Sequence, residues 1–254
     1  MKTEILYEDN SILVIRKPAG LAVQSAGIGQ SDVVSELKSY LAKLPDAGRQ
    51  GKGEPYLGIV HRLDQPVEGL LVFAKDTKAA AALSKQLTEG ALNKHYYAVL
   101  CGYPDCPEGD LVDYLRKEGN VAVAVTGREQ EFADAKIAAL HYRILEEINA
   151  PSPLALADVT IGTGRFHQIR VQFAHAGFPL FGDTKYGTAV LKEAMPAQKY
   201  RGVALCAYSL ELVHPVSGKK MGFRVVPKNP SFAGFAMEEL KKLTENETGI
   251  SKRG

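Results

Sequence analysis

Short apolar runs broken by polar turns dominate the first part of the chain, and their periodicities separate strands from helices. Residues 11–15 and 69–74 are continuous apolar runs, which predict two buried strands. Residues 31–44 instead repeat apolar positions every three or four residues behind Ser31 or Asp32, either of which can cap a helix. This segment therefore predicts an amphipathic helix.

The same two patterns continue to the end of the chain. Residues 77–89 are Ala-rich and stop at Gly90, and residues 167–176 follow a glycine turn, so both segments predict helices. Residues 232–243 predict an amphipathic terminal helix, and residues 244–254 predict a frayed tail. Further strands are predicted at residues 96–100, 121–125, 138–146, 156–161 and 204–213.

The order of these elements bears on the fold class. The predicted strands outnumber the helices and follow one another in runs, which favours an α+β fold with a mixed, largely antiparallel central sheet flanked by helices. A doubly wound parallel sheet would require regular alternation of strands and helices. No linker rich in Pro, Gly or Ser divides the chain, so we expect a single catalytic domain over residues 1–254 with a cleft between two lobes.

Composition narrows the class of protein. The 254 residues suffice for a core without cross-links, and the three cysteines are an odd number without metal-binding spacing. We therefore expect reduced thiols and no metal site. The N-terminus lacks a signal-type apolar segment, and no apolar run approaches the roughly 18 residues of a membrane span. These features predict a cytoplasmic protein without membrane contact.

Charge is unevenly distributed, although the formal net charge is only +2. Residues 160–228 contain ten Lys or Arg against three Asp or Glu, whereas acidic residues are in excess elsewhere. This division is consistent with one basic surface that meets a polyanion. An ordinary solvated surface is the alternative explanation, because exposed charge runs are common.

Several familiar catalytic motifs are absent from the sequence. It contains no Gly-x-x-x-x-Gly-Lys-Ser/Thr phosphate loop, no His-Glu-x-x-His zinc motif and no Gly-x-Ser-x-Gly nucleophile turn. Gly162-Thr163-Gly164 begins like a dinucleotide loop, but His167 stands where a third glycine is required. We therefore expect no nucleotide, redox or metal cofactor.

Two polar clusters remain as candidates for chemistry. His61, Arg62 and Asp64 lie in a turn just before the strand predicted at residues 69–74, so a rigid sheet would hold the carboxylate in place. The alternative is an ion pair between Arg62 and Asp64 in an exposed loop, where such pairs are usually inert.

The second cluster follows a glycine turn at the predicted start of a helix. Arg165, His167 and Arg170 lie there, and a helix N-terminus with arginines favours anion binding. His167 and Arg170 are three residues apart and would share a helix face. Helix capping with solvated arginines is the alternative. Tyr96, on another predicted strand, is of interest only if its ring stacks on a base.

In this order, the segments resemble the RluA-type pseudouridine synthases, which convert uridine in RNA into pseudouridine. The resemblance spans about residues 12–226 and rests on residues 16–21, 61–64, 69–75, 94–96, 164–187 and 214–218. It implies the pseudouridine synthase fold, an isomerase that needs no cofactor, and structured ribosomal or transfer RNA as the partner.

The resemblance also implies roles for individual residues. It makes Asp64 the catalytic aspartate, Tyr96 the active-site tyrosine, and Arg165 the basic residue that pairs with the aspartate. Arg62 is implied to fill the stack that the flipped uridine leaves, which offsets part of the cost of flipping. RNA contacts are expected from four further residues: Lys17, His61, His167 and Arg170.

The sequence departs from the usual family pattern at a few positions. Val67-Glu68 replace a common Thr-Ser pair, and the other departures are Phe166, Gln172 and Cys206. A carboxylate at position 68 would repel a phosphate, so this departure bears on RNA contacts more than on the chemistry.

The remaining expectations concern organisation and alternative functions. Only about ten residues precede the first family strand, so no N-terminal S4 domain is expected. Substrate choice would then depend on the catalytic unit and insertions such as residues 45–55, and nothing in the sequence demands more than a monomer. Two other functions stay open: an inactive RNA-binding protein of this fold, and a glycosidase or nucleosidase with Asp64 and Glu68 as its carboxylates.

Overall fold

The fold is that of a computed structural model. It describes residues 1–25, 29–44, 54–126, 134–149, 152–187 and 202–237. Within these residues the chain forms eleven β-strands, three α-helices and one 3-10 helix. The described chain divides into two compact units, the first made of residues 1–94 and 207–227 and the second of residues 95–206 and 228–237.

Most strands of the first unit lie near the two ends of the chain. They are β1 (Glu4–Glu8), β2 (Ile12–Lys17), β3 (Gly58–Ile59), β4 (Glu68–Ala74), β10 (Leu205–Val213) and β11 (Lys220–Arg224). The strand order is β1-β2-β4-β10, with β3 beside β4 and β11 beside β10. Strand β10 starts with two residues of the second unit and continues into the first.

Strands β2 and β4 form the centre of the first unit. They pair antiparallel from Ile12 opposite Ala74 to Lys17 opposite Gly69. Every residue of both strands is buried, which explains why their sequences are continuous apolar runs rather than alternating patterns.

Two helices of this unit begin at aspartate caps. Helix α1 (Val33–Leu41) follows Asp32, whose side chain accepts a hydrogen bond from the Ser35 backbone N–H. Helix α2 (Thr77–Thr88) follows Asp76, which caps Ala79 in the same way. Each cap satisfies a backbone donor that the first helical turn leaves unpaired.

The second unit contains an antiparallel sheet with the strand order β5-β9-β8-β6-β7. Its strands are β5 (Asn93–Cys101), β6 (Glu108–Glu118), β7 (Val121–Val125), β8 (Lys136–Ile148) and β9 (Leu154–Ile161). Helix α3 (Gln168–His175) packs on one face, where Val171 meets Leu115, Ala122 and Ala138 in a buried cluster.

The structure confirms the predicted α+β class, the mixed, mostly antiparallel sheet, the three predicted helices before residue 180 and every predicted strand. Strands β1, β3, β6 and β11 had no clear signal in the sequence and are additional. Within the described residues, no helix is long and apolar enough to span a membrane. The single catalytic domain and the cleft between two lobes stay predictions.

The terminal helix predicted at residues 232–243 is wrong over its described part. The chain forms a 3-10 helix at Pro230–Phe232 and then leaves helical geometry. The backbone N–H groups of Ala236 and Met237 instead donate to the Glu146 carboxylate at 2.7 Å each, which satisfies them without a helix. Residues 238–254, and residues 45–53 of the insertion at residues 45–55, lie outside the described residues.

Candidate active site

The loop that carries Asp64 is tied to the turn after β2. The Gln65 carbonyl accepts hydrogen bonds from the Lys17 ammonium at 3.1 Å and from the Gly20 N–H at 2.8 Å. The Gln65 side chain donates back to the Gly20 carbonyl at 3.1 Å, and the Val67 N–H donates to the Asp64 carbonyl at 3.1 Å. The backbone of Asp64 and of the residues that follow it is therefore tied in place, while the Asp64 side chain stays half-buried.

Lys17 lies inside the protein, with 0% of its surface exposed. Its three N–H groups donate to the carbonyls of Pro18, Leu21 and Gln65 at 3.1, 2.6 and 3.1 Å. Burial lowers the pKa of Lys17 to about 7, against the opposing effect of the Asp64 and Glu68 carboxylates. All three donors of the fully buried Lys17 are thus used inside the protein, and its contact with RNA stays a prediction.

Glu68 is also buried, as the first residue of β4. Its carboxylate lies 3.5 Å from the Arg16 guanidinium, which also donates to the Val226 carbonyl at 2.6 Å. Glu68 is thus paired inside the first unit, so it neither repels a phosphate at the surface nor acts as the second carboxylate of a glycosidase.

Arg62 lies on the surface, two residues before Asp64. Its guanidinium donates to the Gln24 side-chain carbonyl at 3.1 Å, an exposed contact that is easily exchanged. An exposed cation on the loop that carries Asp64 is suitably placed to meet RNA.

His61, predicted to contact RNA, is buried instead. Its Nε2 accepts from the Val72 N–H at 3.4 Å, and its Nδ1 has no hydrogen-bond partner within the described residues. Burial and the charge of Lys94 lower the pKa of His61 to about 3, so the ring is neutral, and burial lowers the pKa of Lys94 to about 8. The structure thus gives His61 a neutral, buried ring, and its contact with RNA stays a prediction.

Tyr96 and Arg165 belong to the second unit. Tyr96 is buried on β5, opposite Val159 of β9. Arg165 is half-buried, and its Nε donates to the Ile137 carbonyl at 2.8 Å in an exposed contact. Its backbone N–H donates to the Gln168 side chain at 2.9 Å, which fixes the turn before α3.

Arg170 is held more firmly than Arg165. It is only 4% exposed, and its guanidinium binds the buried Asp183 carboxylate with two hydrogen bonds of 2.7 and 2.9 Å. The Arg170 guanidinium is thus held inside the second unit, and its contact with RNA stays a prediction. The sequence analysis did not name Asp183 as a site residue. The signal for it was its place within residues 164–187, one of the segments that carry the family resemblance.

His167 precedes α3 in the left-handed backbone region, at φ 53°. Its Nδ1 lies 2.6 Å from the Tyr186 hydroxyl, and its ring stacks on Phe166 with a centroid separation of 3.8 Å. The Lys117 ammonium also lies over the Phe166 ring, 4.9 Å from its centroid. The His167 side chain makes no hydrogen bond that caps α3, so the alternative of helix capping does not apply to it. The start of α3 instead carries a group of aromatic and basic side chains made of Phe166, His167 and Lys117.

The structure therefore assigns the predicted site residues to two groups. Lys17, His61, Arg62 and Asp64 lie in the first unit, and the others, Tyr96, Arg165, His167 and Arg170, lie in the second. Among the described residues, no three His, Cys, Asp or Glu side chains cluster as metal ligands.

Comparison with known proteins defines the family. The family described as RNA pseudouridylate synthase matches residues 11–175, and the chain belongs to it. The chain is 36% identical over 230 residues to ribosomal large subunit pseudouridine synthase D of Pseudomonas aeruginosa, covering 87% of this chain and 67% of that protein. It is also 36% identical over 231 residues to the protein of the same name from Escherichia coli, covering 86% and 65%. The chain thus spans about two thirds of these relatives.

Solved structures show the same fold. Human RNA pseudouridylate synthase domain containing 1 has a TM-score of 0.71 and 19% identity, with 96% of this chain and 94% of that chain covered. Human RNA pseudouridylate synthase domain containing 4 has a TM-score of 0.68 and 24% identity, with 94% of this chain and 93% of that chain covered. The predicted pseudouridine synthase fold is confirmed, and the chain is an RNA pseudouridine synthase, an isomerase.

Proposed function

We propose that this chain isomerises uridine to pseudouridine in the RNA of the large ribosomal subunit. The observation that supports this substrate is the similarity to relatives that are named ribosomal large subunit pseudouridine synthase D, at 34–36% identity. The basic segment at residues 160–228 supports a polyanionic partner, although the fold divides this segment between the two units.

Asp64 is proposed as the group that acts on the ribose. The reaction breaks the bond from C1′ to N1 of uracil and rejoins the base through C5, so no electron or group is gained. The fixed backbone around Asp64 supports this role, because a catalytic carboxylate must be held in one position. Attack at C1′ and removal of a sugar proton are both compatible with a carboxylate here.

Arg62 and Tyr96 are proposed to handle the flipped base. A uridine inside a stem must leave its stack to be reached, which costs a few kcal/mol. The exposed Arg62 side chain is free enough to occupy the space that the uridine leaves, since it holds one surface hydrogen bond. Tyr96, which is buried on β5 in the protein without RNA, is proposed to supply the ring on which the uracil stacks.

The basic group that the reaction needs is proposed to be the guanidinium of Arg170 rather than that of Arg165. A stabilising charge acts best when it is buried and oriented beforehand. Asp183 orients the buried Arg170 through two hydrogen bonds, whereas Arg165 is half-buried and bound to one backbone carbonyl. Arg165 is then proposed to bind an RNA phosphate.

The test uses purified protein and transcripts of ribosomal and transfer RNA, with pseudouridine mapped after incubation. We expect pseudouridine in large-subunit RNA, and we expect Asp64→Asn to abolish it while RNA affinity stays within a few-fold. Asp110→Asn, which changes an exposed aspartate of the second unit, is the matched control and should retain full activity.

Four other results would contradict the proposal in different ways. Pseudouridine only in transfer RNA would overturn the substrate, and RNA binding without product would favour the inactive RNA-binding alternative. Release of free uracil would favour the nucleosidase. Near-normal turnover by Asp64→Asn would overturn the assignment of Asp64.

A further inference from the structure

An exposed aromatic ring lies at the turn before α3, in the second unit. The Phe166 side chain is 40% exposed, although its ring stacks on that of His167 with a centroid separation of 3.8 Å and an interplanar angle of 21°. The ammonium of the exposed Lys117, near the end of β6, lies 4.9 Å from the centroid of the Phe166 ring. These contacts leave part of an aromatic ring and one cation facing solvent at the same point.

The Phe166 ring is held in place by the residues behind it. His167 Nδ1 lies 2.6 Å from the Tyr186 hydroxyl, which also accepts a hydrogen bond from the backbone N–H of Ala122 in β7 at 2.8 Å. The Arg170 guanidinium lies over the Tyr186 ring, 5.2 Å from its centroid. Phe166 therefore rests on a histidine that is fixed to the sheet. A ring that is oriented beforehand loses little conformational entropy when it binds a partner.

The charges around this ring favour a polyanion as the partner. Lys117 and Lys185 are both exposed, and Lys185 donates at 2.7 Å to the carbonyl of Asn120, in the turn between β6 and β7. The neighbouring Glu118 carboxylate already accepts a hydrogen bond from Arg116. An apolar side chain of a protein partner would gain nothing from the two ammonium groups. A nucleotide offers a flat base to the ring and a phosphate to an ammonium, so RNA fits both features together.

A base is able to displace the Lys117 ammonium from the ring. An exposed contact between a cation and an aromatic ring changes an equilibrium constant by about two- to fivefold. A base stacked on an aromatic side chain changes it by about five- to 150-fold, so the base wins this competition. The flexible lysine side chain is then free to bind a phosphate. A base inside a helix already has both faces covered by its neighbours, so the ring selects an unpaired base.

We propose that Phe166 stacks on an unpaired base of the substrate RNA and that Lys117 binds the phosphate of the same nucleotide. The inference rests on the proposed function for the identity of the partner as RNA. It deepens that function, because it gives the enzyme a preference for RNA that contains an unpaired nucleotide in addition to the modified uridine. It also assigns a role to Phe166, one of the positions at which this sequence departs from the usual family pattern.

The probe is a synthetic hairpin with the sequence of the ribosomal or transfer RNA segment that the wild-type protein binds most tightly. We expect Phe166→Leu, which keeps the apolar bulk but loses the aromatic face, to raise Kd about tenfold without changing its salt slope. Phe166→Tyr should bind as the wild type does, and Lys117→Met should reduce the salt slope by about 1.

Val112→Ala is the matched control, because Val112 is an apolar residue of β6 that is 60% exposed, and it should leave Kd and the salt slope unchanged. An unchanged Kd in a folded Phe166→Leu variant would overturn the inference and would favour a protein as the partner of this ring. The inference is also wrong if Phe166→Tyr binds as weakly as Phe166→Leu.

A second measurement changes the RNA instead of the protein. The unpaired nucleotides of the hairpin are replaced one at a time by abasic nucleotides, which keep the sugar and the phosphate. At one position other than the modified uridine, we expect the replacement to weaken wild-type binding about tenfold but to leave binding by Phe166→Leu unchanged, because both changes remove the same contact.

If no such position weakens wild-type binding, the inference is overturned even where Phe166→Leu fails to fold. Equal losses for both proteins at every position would contradict it as well. Absence of pseudouridine from all transcripts would overturn only the proposed function, because both measurements here are of binding.

Discussion

At the scale of single residues, two arginines five positions apart are held in different ways. Arg165 makes one exposed hydrogen bond to the Ile137 carbonyl, and Arg170 makes two buried ones to Asp183. A surface arginine on a phosphate changes affinity and its dependence on salt, whereas a buried and oriented arginine that supplies charge to the reaction changes the rate. The two proposed roles can therefore be separated by kinetics.

We expect Arg165→Met to weaken RNA binding and to reduce the salt slope of the affinity by about 1, with kcat at saturating RNA within a few-fold. We expect Arg170→Lys to lower kcat by at least about tenfold and to leave the salt slope unchanged, because lysine keeps the charge but cannot form the two parallel bonds. Filter binding at several salt concentrations and single-turnover kinetics measure these quantities. A larger loss of kcat in Arg165→Met than in Arg170→Lys would return the role to Arg165.

The sequence was sufficient to single out Asp64, Arg62 and Tyr96, because their spacing and neighbours resemble a family. It could not separate a lysine that binds RNA from one that binds the chain itself. Lys17 is buried only because Leu21 and Gln65, 4 and 48 residues away in sequence, bring carbonyl oxygens to it. Burial of this kind depends on tertiary structure and has no local signal.

At the scale of elements, the start of β4 needs a glycine. Gly69 has φ +130°, which L side chains rarely adopt, and a Cβ there would lie 2.4 Å from the Ala207 carbonyl oxygen of β10. The strands can approach this closely only because no side chain stands between them. Gly69 directly follows Glu68 and pairs with Lys17 of β2. This close packing therefore fixes the start of β4, next to the loop that carries Asp64.

We expect Gly69→Ala to lower the free energy of unfolding by about 2–5 kcal/mol, from backbone strain and overpacking together. The expected change is measurable by urea denaturation followed by circular dichroism. Gly222→Ala in β11 is the control, because its nearest neighbour would be a side-chain carbon at 4.0 Å, and it should change stability by less than about 1 kcal/mol. Equal effects of the two substitutions would contradict the packing argument.

Strands differed in how well their sequences predicted them. β2 and β4 are fully buried, so their apolar runs are unambiguous. β6 mixes charged with apolar residues, and its apolar side chains point to both faces: Leu115 is buried, whereas Val112 is 60% exposed. Because β6 carries apolar residues on both faces, its sequence does not alternate regularly between apolar and polar residues. Its pairing with β7 and β8 is what defines it as a strand.

At the scale of the whole molecule, Asp9 links the beginning of the chain to a region more than 200 residues later. It lies between β1 and β2, and its carboxylate accepts from the backbone N–H groups of Ser11 and Ile12 at 2.7 and 2.8 Å. The Nε2 of His214, from the connection between β10 and β11, lies 2.6 Å from the same carboxylate. Because His214 Nδ1 accepts two backbone N–H bonds, its Nε2 carries the proton that it donates to Asp9.

Asp9 gives the first unit a predictable response to acid. Burial raises the pKa of Asp9, but the hydrogen bonds from Ile12, Ser11 and His214 lower it by more, so the folded-state pKa lies below the usual value. A carboxyl group with a depressed pKa stabilises the folded state above its unfolded pKa of about 3.9, and this stabilisation is lost as the pH falls through the folded value. Asp9 therefore contributes fully at pH 7 and progressively less below about pH 4.

We expect Asp9→Asn to lower the free energy of unfolding by about 1–3 kcal/mol at pH 7, as for other hydrogen bonds to a charged group, and to make its decline below pH 4 shallower. Urea denaturation at pH values from 7 to 3 measures both effects. Asp110→Asn is the matched control, because Asp110 also faces a histidine, His141 at 2.9 Å, but with its side chain 72% exposed. An exposed pair contributes little, so this variant should follow the wild-type curve. If both variants follow that curve, Asp9 is not what ties the first strands to the later connection, and the acid response must arise elsewhere.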